Sequence, residues 1–312
     1  MSPWDALLIG VIPVLCQRQI DMSSPFAVNA DPLDKIVPMN PRLLLSFLAS
    51  ISLLTAAQIK TDVEFVKRGE VSLTLDASVP DGKGPYPGVI VVHGGGFLRG
   101  DKQSYVKPLF KPLTDANFTW FTINYRMTPQ YKLPDPVDDV ISAVQWVKTH
   151  AAEYKVDPKR IALVGESAGA YLVDYAVMTA PKGAEVAAVV SFYGPADLVF
   201  QVTEMKKISE GIQGITGVTQ ANAAGLKKLH DFSPYFLIRK NPPPFLLIHG
   251  TEDEQVPYQQ SVRFRRALLD KGGKVELFTV DGAKHGVGPW EQVEAQQAYK
   301  SKFIEWLRAT LR

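Results

Sequence analysis

The chain has 312 residues, 46% of them hydrophobic and 21% charged, with a formal net charge of +2 at pH 7. That length can bury a sizeable core and suits one large α/β domain, and the balanced charge gives no reason to expect nucleic acid or an anionic membrane surface as a partner. Cys16 is the only cysteine, which excludes an intrachain disulfide and a cysteine metal site.

The N-terminal residues differ from the rest. Met39-Asn40-Pro41-Arg42 leads into a 12-residue apolar run, 43–54, followed by Thr55-Ala56-Ala57. A basic start, an apolar core and a small-residue cleavage site follow one another as in a secretory signal peptide. The core is too short to serve as a stable membrane span. Residues 39–57 are therefore read as a signal peptide, with a buried or cap helix as the competing reading. Residues 1–38 then lie outside the native product, translation starting at Met39, or fold as an N-terminal cap with a short apolar helix over 4–15. On the signal reading the mature protein starts near Gln58, lacks cysteine and is secreted or periplasmic; otherwise it is cytoplasmic.

From residue 58 to 312 one catalytic domain is expected. Loose alternation over 61–67 and clear alternation over 71–79 predict an antiparallel hairpin with one solvated face. Val89-Ile90-Val91-Val92 reads as a central strand. His93-Gly94-Gly95-Gly96-Phe97 follows at once, and its glycines let the amides of Gly94 and Gly95 converge on a small anionic target. A flexible turn is the competing reading, and a phosphate loop fits less well because no lysine plus Ser/Thr follows at Walker spacing.

A helix over 102–117, a strand over 118–123, a surface loop over 131–136 and a helix over 137–151 come next. Asp157-Pro158 reads as a turn. Arg160 then opens the apolar run Ile161-Ala162-Leu163-Val164, which enters Gly165-Glu166-Ser167-Ala168-Gly169 and a helix through 171–179. Strand, tight glycine-bounded turn and helix together lift a serine hydroxyl above a sheet edge onto a helix N-terminus. A serine that merely caps a helix is the competing reading. Alternation of strands and helices on both sides indicates a mostly parallel sheet.

A strand over 185–193 precedes an insertion, 196–232, of different composition, expected to cover the carboxyl edge of the sheet. Then follow a strand over 245–248, a helix over 262–269, a strand over 275–280 and a long closing helix over 290–311 that faces Phe303, Ile304, Trp306 and Leu307 inward.

A serine nucleophile needs a base and a group that orients the base. Of the five histidines, His93 and His249 stand where they shape loops, His150 ends a helix and His230 lies in the insertion. His285 occupies a glycine-flanked loop after the last strand, and its ordinary pKa of about 6.5 allows it to take and return a proton. Asp253 is the candidate acid, with Glu252 and Glu254 as rivals. The order Ser167, Asp253, His285 is the chain order of a nucleophile-elbow enzyme.

The His-Gly-Gly-Gly segment, the Gly-Glu-Ser-Ala-Gly elbow, Asp253 before Val256-Pro257, and His285 before Gly286 resemble the alpha/beta-hydrolase superfamily, from about residue 61 to the C-terminus. More narrowly they resemble its esterase/lipase group with a His-Gly-Gly-Gly oxyanion motif, whether hormone-sensitive-lipase-like or secreted feruloyl- and acetylxylan-esterase-like. Asn124-Tyr125-Arg126, Asp138-Asp139 and Tyr193-Gly194-Pro195-Ala196-Asp197 look like further landmarks.

The resemblance implies an α/β fold with a mostly parallel central sheet of about eight strands flanked by helices, and a short cap insertion. It implies Ser167 as nucleophile, His285 as base, Asp253 as its orienter, and the N–H groups of Gly94, Gly95 and Ala168 as oxyanion donors. No metal or organic cofactor is implied. The partner implied is a small-molecule or carbohydrate ester. Phe97, Tyr125, Tyr171, Tyr193 and Val256 stand near the motifs as candidate substrate-lining residues, against a plain core role. No cationic cluster accompanies the motifs, which argues against a phosphorylated or strongly acidic acyl group. The competing functions are a serine exopeptidase of the same fold and a non-catalytic binding scaffold.

Overall fold

The computed structural model describes residues 57–312, so the readings of 1–38 and of the signal segment up to residue 56 lie outside the described residues. The strands are β1 (Gln58–Arg68), β2 (Val71–Val79), β3 (Tyr86–Val92), β4 (Thr119–Ile123), β5 (Val156–Glu166), β6 (Ala188–Phe192), β7 (Phe245–Gly250) and β8 (Val275–Val280). They form one eight-stranded sheet in the order β1-β2-β4-β3-β5-β6-β7-β8. β1 with β2 and β2 with β4 are antiparallel, and every later pair is parallel. The helices are α1 (Lys107–Asp115), α2 (Asp135–Thr149), α3 (Ala168–Thr179), α4 (Leu198–Met205), α5 (Glu210–Thr216), α6 (Ala223–Asp231), α7 (Gln259–Asp270), α8 (Val287–Trp290) and α9 (Ala298–Thr310). Among the described residues no helix is long and apolar enough to cross a membrane.

Two apolar layers sandwich the sheet. Successive strand residues point to opposite faces, so Ile90, Val92, Leu163, Phe245 and Leu247 join Val140 and Val144 of α2, Leu172 of α3 and Phe264 of α7 on one side. Val89, Val91, Ala162, Val164, Leu246 and Ile248 join Leu109 and Leu113 of α1 and Phe303 and Leu307 of α9 on the other. This double burial is why the central strands read as unbroken apolar runs. Each of the valine, leucine, isoleucine and phenylalanine side chains contributes roughly 1.5–3 kcal/mol through burial.

Several local expectations shift. The hairpin is present, but the second half of β2 is buried on both faces, Asp76 and Ser78 included, because β4 pairs with residues 75–78. The first helix begins at Lys107 rather than 102, since Lys102 is pinned outside it: its N–H donates to Asn124 Oδ1 (2.8 Å) and its C=O accepts from Thr122 Oγ1 (2.6 Å). Asp157-Pro158 lies inside β5 rather than ahead of it, at a break in register where Tyr86 pairs with Val156 and Gly88 already with Ile161. The expected closing helix is broken into α8, a 3-10 turn over Glu294–Gln297, and α9. Trp290 is fully buried and its indole N–H donates to Lys284 O at 2.6 Å, which folds the chain back there instead of letting it continue.

Residues 196–232 fold as α4, α5 and α6. Each helix starts on a side-chain cap: Asp197, Ser209 and Asn222 accept from the N–H groups of Phe200, Ile212 and Gly225. Asp197 is also held by Arg263 of α7 at 2.9 Å. At Arg126 and Asp139, two of the landmarks, the guanidinium grips the carboxylate through Nε and Nη2, each at 2.9 Å, and Asp139 also accepts the Arg126 amide at 3.0 Å. The Asp139 side chain is wholly buried, so the pair ties the end of β4 to α2 inside the protein. Asp139→Ala leaves the Arg126 guanidinium with Asp135 alone, through its carboxylate at 3.3 Å and its carbonyl at 3.0 Å, and is expected to cost about 3 kcal/mol in urea unfolding; a loss no larger than that of an exposed pair would show that Asp135 suffices to hold it.

Candidate active site

β5 delivers Ser167 directly to the start of α3. Ser167 has φ 55° and ψ −114°, a conformation that L-residues rarely adopt and that costs about 1–3 kcal/mol. Its neighbours make that turn sterically feasible. A Cβ at Gly165 would lie 2.4 Å from Gly169 O, and one at Gly169 would lie 2.2 Å from Val92 O. Glycine is needed at both positions because backbone, which cannot yield, fills the space. The Ser167 N–H donates to Phe192 O at 3.0 Å, which fastens the elbow to β6.

Ser167 Oγ lies 2.8 Å from His285 Nε2, and His285 Nδ1 lies 2.6 Å from Asp253 Oδ2. With Asp253 accepting at Nδ1, that nitrogen carries the proton and Nε2 faces the serine as acceptor. Asp253 Oδ1 accepts from the N–H groups of Gln255 (2.9 Å) and Val256 (2.8 Å). Burial by itself would raise the Asp253 carboxyl; the neighbouring His249 and His285 and the Val256 amide outweigh it and hold the group well below the usual carboxylate range. Glu252 and Glu254 are exposed, as solvated rivals should be. His249 accounts for the shape of this loop: its ring nitrogens meet Ser261 Oγ at 2.7 Å and Val256 O at 2.9 Å. His150 stacks on Trp146, and His230 is exposed; neither approaches the serine motif through any hydrogen bond.

The glycine loop after β3 is held from behind. His93 is buried, which pushes its pKa down to about 4 and keeps the ring neutral near pH 7. Its Nδ1 lies 2.8 Å from Gly94 O, and Tyr125 Oη donates to the carbonyls of His93 and Gly94 at 3.1 and 3.2 Å. A trans peptide places C=O and N–H on opposite sides. Anchoring Gly94 O to the interior therefore turns the Gly95 N–H outward. Likewise Gly95 O accepts from Leu98 and Arg99, which turns the Gly96 N–H away from them.

Gly95, Gly96, Ser167, Ala168 and His285 all line one cavity of about 310 Å³. Gly94 does not; the Glu166 carboxyl occupies the space beside its Cα. Thus Gly95 and Ala168 stand where anion donors are useful, Gly96 joins them, and Gly94 departs from expectation. Ala168 opens α3, so its N–H is one of the amides that a helix leaves without an internal acceptor.

Among the expected lining residues, Phe97 and Val256 are in the cavity wall. Tyr125, Tyr171 and Tyr193 are not: each is at most 3% exposed. Their hydroxyls serve the interior, Tyr171 donating to Phe232 O at 2.6 Å and Tyr193 accepting the Val287 N–H at 2.8 Å. Sequence proximity to a motif could not separate wall from support. Met205 and Ile212 of the cap were not foreseen as wall residues, because their contact with the site depends on how 196–232 folds back. The wall also carries Arg99 and Lys207 beside Glu210 and Glu254, so the site is mixed in charge rather than free of cations.

Several known proteins resemble this chain in sequence and fold. A probable carboxylic ester hydrolase of Mycobacterium tuberculosis (strain ATCC 25618 / H37Rv), LipM, is 33% identical over 191 residues, 58% of this chain and 44% of that protein. The chain spans about half the length of the curated relatives it matches. Among solved structures, a bifunctional GH43-CE protein of Bacteroides eggerthii superposes with a TM-score of 0.70 at 26% identity, over 81% of this chain and 35% of that one. The butyrate-bound Est2 esterase of the Planctomycetes species Thermogutta terrifontis superposes with a TM-score of 0.65 at 26% identity, over 81% and 94%. The BD-FAE family model matches residues 75–268, a span that includes the serine elbow and Asp253 and ends before His285. With the fold of the alpha/beta-hydrolase superfamily and this match over more than half its length, the chain belongs to the BD-FAE family.

Proposed function

We propose that this protein is a serine carboxylic ester hydrolase that works through an acyl-enzyme on short-chain or aromatic acyl esters, including those carried by plant polysaccharide. The observation that carries the reading is the unbroken line from Ser167 Oγ through His285 to Asp253, at 2.8 and 2.6 Å. In the first step Ser167 Oγ attacks the ester carbonyl while His285 Nε2 takes its proton. The oxyanion is received by the N–H groups of Gly95, Gly96 and Ala168, donors fixed before charge develops. The C–O bond then breaks, and His285 returns the proton to the departing alcohol. Water, deprotonated by the same nitrogen, attacks the acyl-enzyme and releases acid and serine.

A short acyl chain suits the cavity of about 310 Å³, walled by Phe97, Met205, Ile212 and Val256. Butyrate in the similar Est2 structure supports the same size class. The polysaccharide alcohol follows the resemblance of the motifs to secreted feruloyl and acetylxylan esterases.

The test is turnover of p-nitrophenyl acetate, butyrate and octanoate, methyl ferulate and acetylated xylan. Acetate and butyrate are expected to exceed octanoate in kcat/KM, with ferulate or xylan turnover marking the polysaccharide arm. Efficient aminoacyl-amide cleavage with negligible ester cleavage would establish the exopeptidase instead. Absence of both, with no labelling of folded protein by an organophosphonate, would leave a binding scaffold.

A further inference from the structure

Two cavities meet at Ser167. The one that suits the acyl chain runs beneath the cap, walled by Met205 and Ile212. The second, of about 340 Å³, shares Gly95, Gly96, Arg99, Ser167 and His285 with it and continues along residues 286–289, the segment directly after the histidine. Tyr105 borders the second cavity and not the first. An ester has an arm on each side of its carbonyl carbon, so two cavities joined at the nucleophile give each arm a place. The alcohol oxygen must leave beside His285 Nε2, which protonates it, and the second cavity is the one whose wall continues from that residue.

Tyr105 is 47% exposed, in contrast to the buried Tyr125, Tyr171 and Tyr193. Its backbone is left-handed, with φ 65°, an outlier for a bulky residue. The Val106 N–H donates to Ser104 O at 2.8 Å, which closes a three-residue turn across Tyr105, and such a turn with positive φ is the rare, strained kind. Both flanks are anchored. Val106 is fully buried, and Lys102 is held by Asn124 and Thr122. The ring leans on the oxyanion loop: a Cβ at Gly95 or at Gly100 would come 3.1 Å from its Cε2. An aromatic ring that strained backbone keeps in solvent, at the rim of a cavity containing the nucleophile, is not accounted for by core packing.

We propose that the second cavity is the subsite for the alcohol arm and that Tyr105 is its platform, stacking on a sugar ring whose hydroxyl carries the acyl group. This rests on the esterase reading above. A sugar ring presents C–H bonds across a face and hydroxyls around its rim. The electron-rich face of the phenol suits the first, and the guanidinium of Arg99, exposed on the same cavity, offers donors to the second. When the acyl C–O bond breaks, the sugar leaves as the free alcohol with the proton from His285. A short aliphatic alcohol has no such face and gains nothing from Tyr105.

The test uses two esters with one acyl group, ethyl acetate and a monoacetylated methyl xyloside; p-nitrophenyl esters are avoided because the nitrophenyl ring could itself stack on Tyr105. Tyr105→Ala is expected to lower kcat/KM on the sugar acetate by about tenfold, chiefly through a raised KM, and to leave ethyl acetate within about twofold. Tyr105→Trp, which keeps an aromatic face, should retain turnover of the sugar acetate. Equal losses on both esters would reduce Tyr105 to a support of the oxyanion loop and overturn the proposal, as would no loss on either. If Tyr105→Ala does not fold, the wild type decides. Xylobiose, which has no ester to turn over, should shift the Tyr105 ring resonances of 13C-tyrosine-labelled protein, assigned with Tyr105→Phe, and an unmoved ring at saturating sugar overturns the idea. Failure of the esterase reading looks different: no Ser167-dependent release of acetate from either ester. Hydrolysis of ethyl acetate without hydrolysis of the sugar acetate would keep the esterase and overturn the platform.

Discussion

Ser167→Ala is expected to lower kcat/KM on p-nitrophenyl butyrate by about 10⁴- to 10⁶-fold while leaving Tm unchanged. The activity falls because Ser167 Oγ, 2.8 Å from His285 Nε2, is the oxygen placed to form the acyl-enzyme. Stability is retained because alanine inherits the same strained backbone, and the elbow is held by the Ser167 amide rather than its hydroxyl. The variant should also resist organophosphonate labelling. Residual turnover within tenfold of wild type would place the nucleophile elsewhere.

The second large effect is expected at Asp253. Asp253→Asn keeps the volume, but its amide group can present a donor to His285 Nδ1 where the carboxylate accepts at 2.6 Å. The ring would then carry its proton on Nε2, facing the serine, and could not accept from it. A loss of about 10⁴-fold in kcat follows from that tautomer change in a serine–histidine–carboxylate arrangement. Glu252→Gln, in the same loop but exposed, is expected to leave kcat/KM unchanged. If Glu252→Gln were the damaging variant, Asp253 would lose its place as orienter.

The elbow and the strand order around it are legible in the chain because their causes are local. Ile161 to Val164 is apolar at every position since the strand is covered on both faces. Gly165 and Gly169 are required by backbone packed within 2.2–2.4 Å of where a Cβ would stand. Elements set by distant contacts were less legible. The break between α8 and α9 depends on Trp290 reaching Lys284, and the buried second half of β2 depends on β4 docking beside it. Neither contact leaves a periodic trace in its own segment.

The same division runs through the site. The residue types and their order are written in the chain: a serine between glycines, an acid and a histidine in later loops, and a run of three glycines after a strand. Those follow from local geometry and from what acyl transfer requires of a nucleophile, a base and an anion site. Packing in three dimensions decided which glycine amides face the cavity, because that depends on Tyr125, 31 residues along the chain, joining His93 in drawing Gly94 O inward. It also decided that Phe97 and Val256 are wall while Tyr125, Tyr171 and Tyr193 are support, and that Glu166 lies under Gly94. Side-chain direction at a strand end is set by what packs against it, and those neighbours come from segments far apart in the chain.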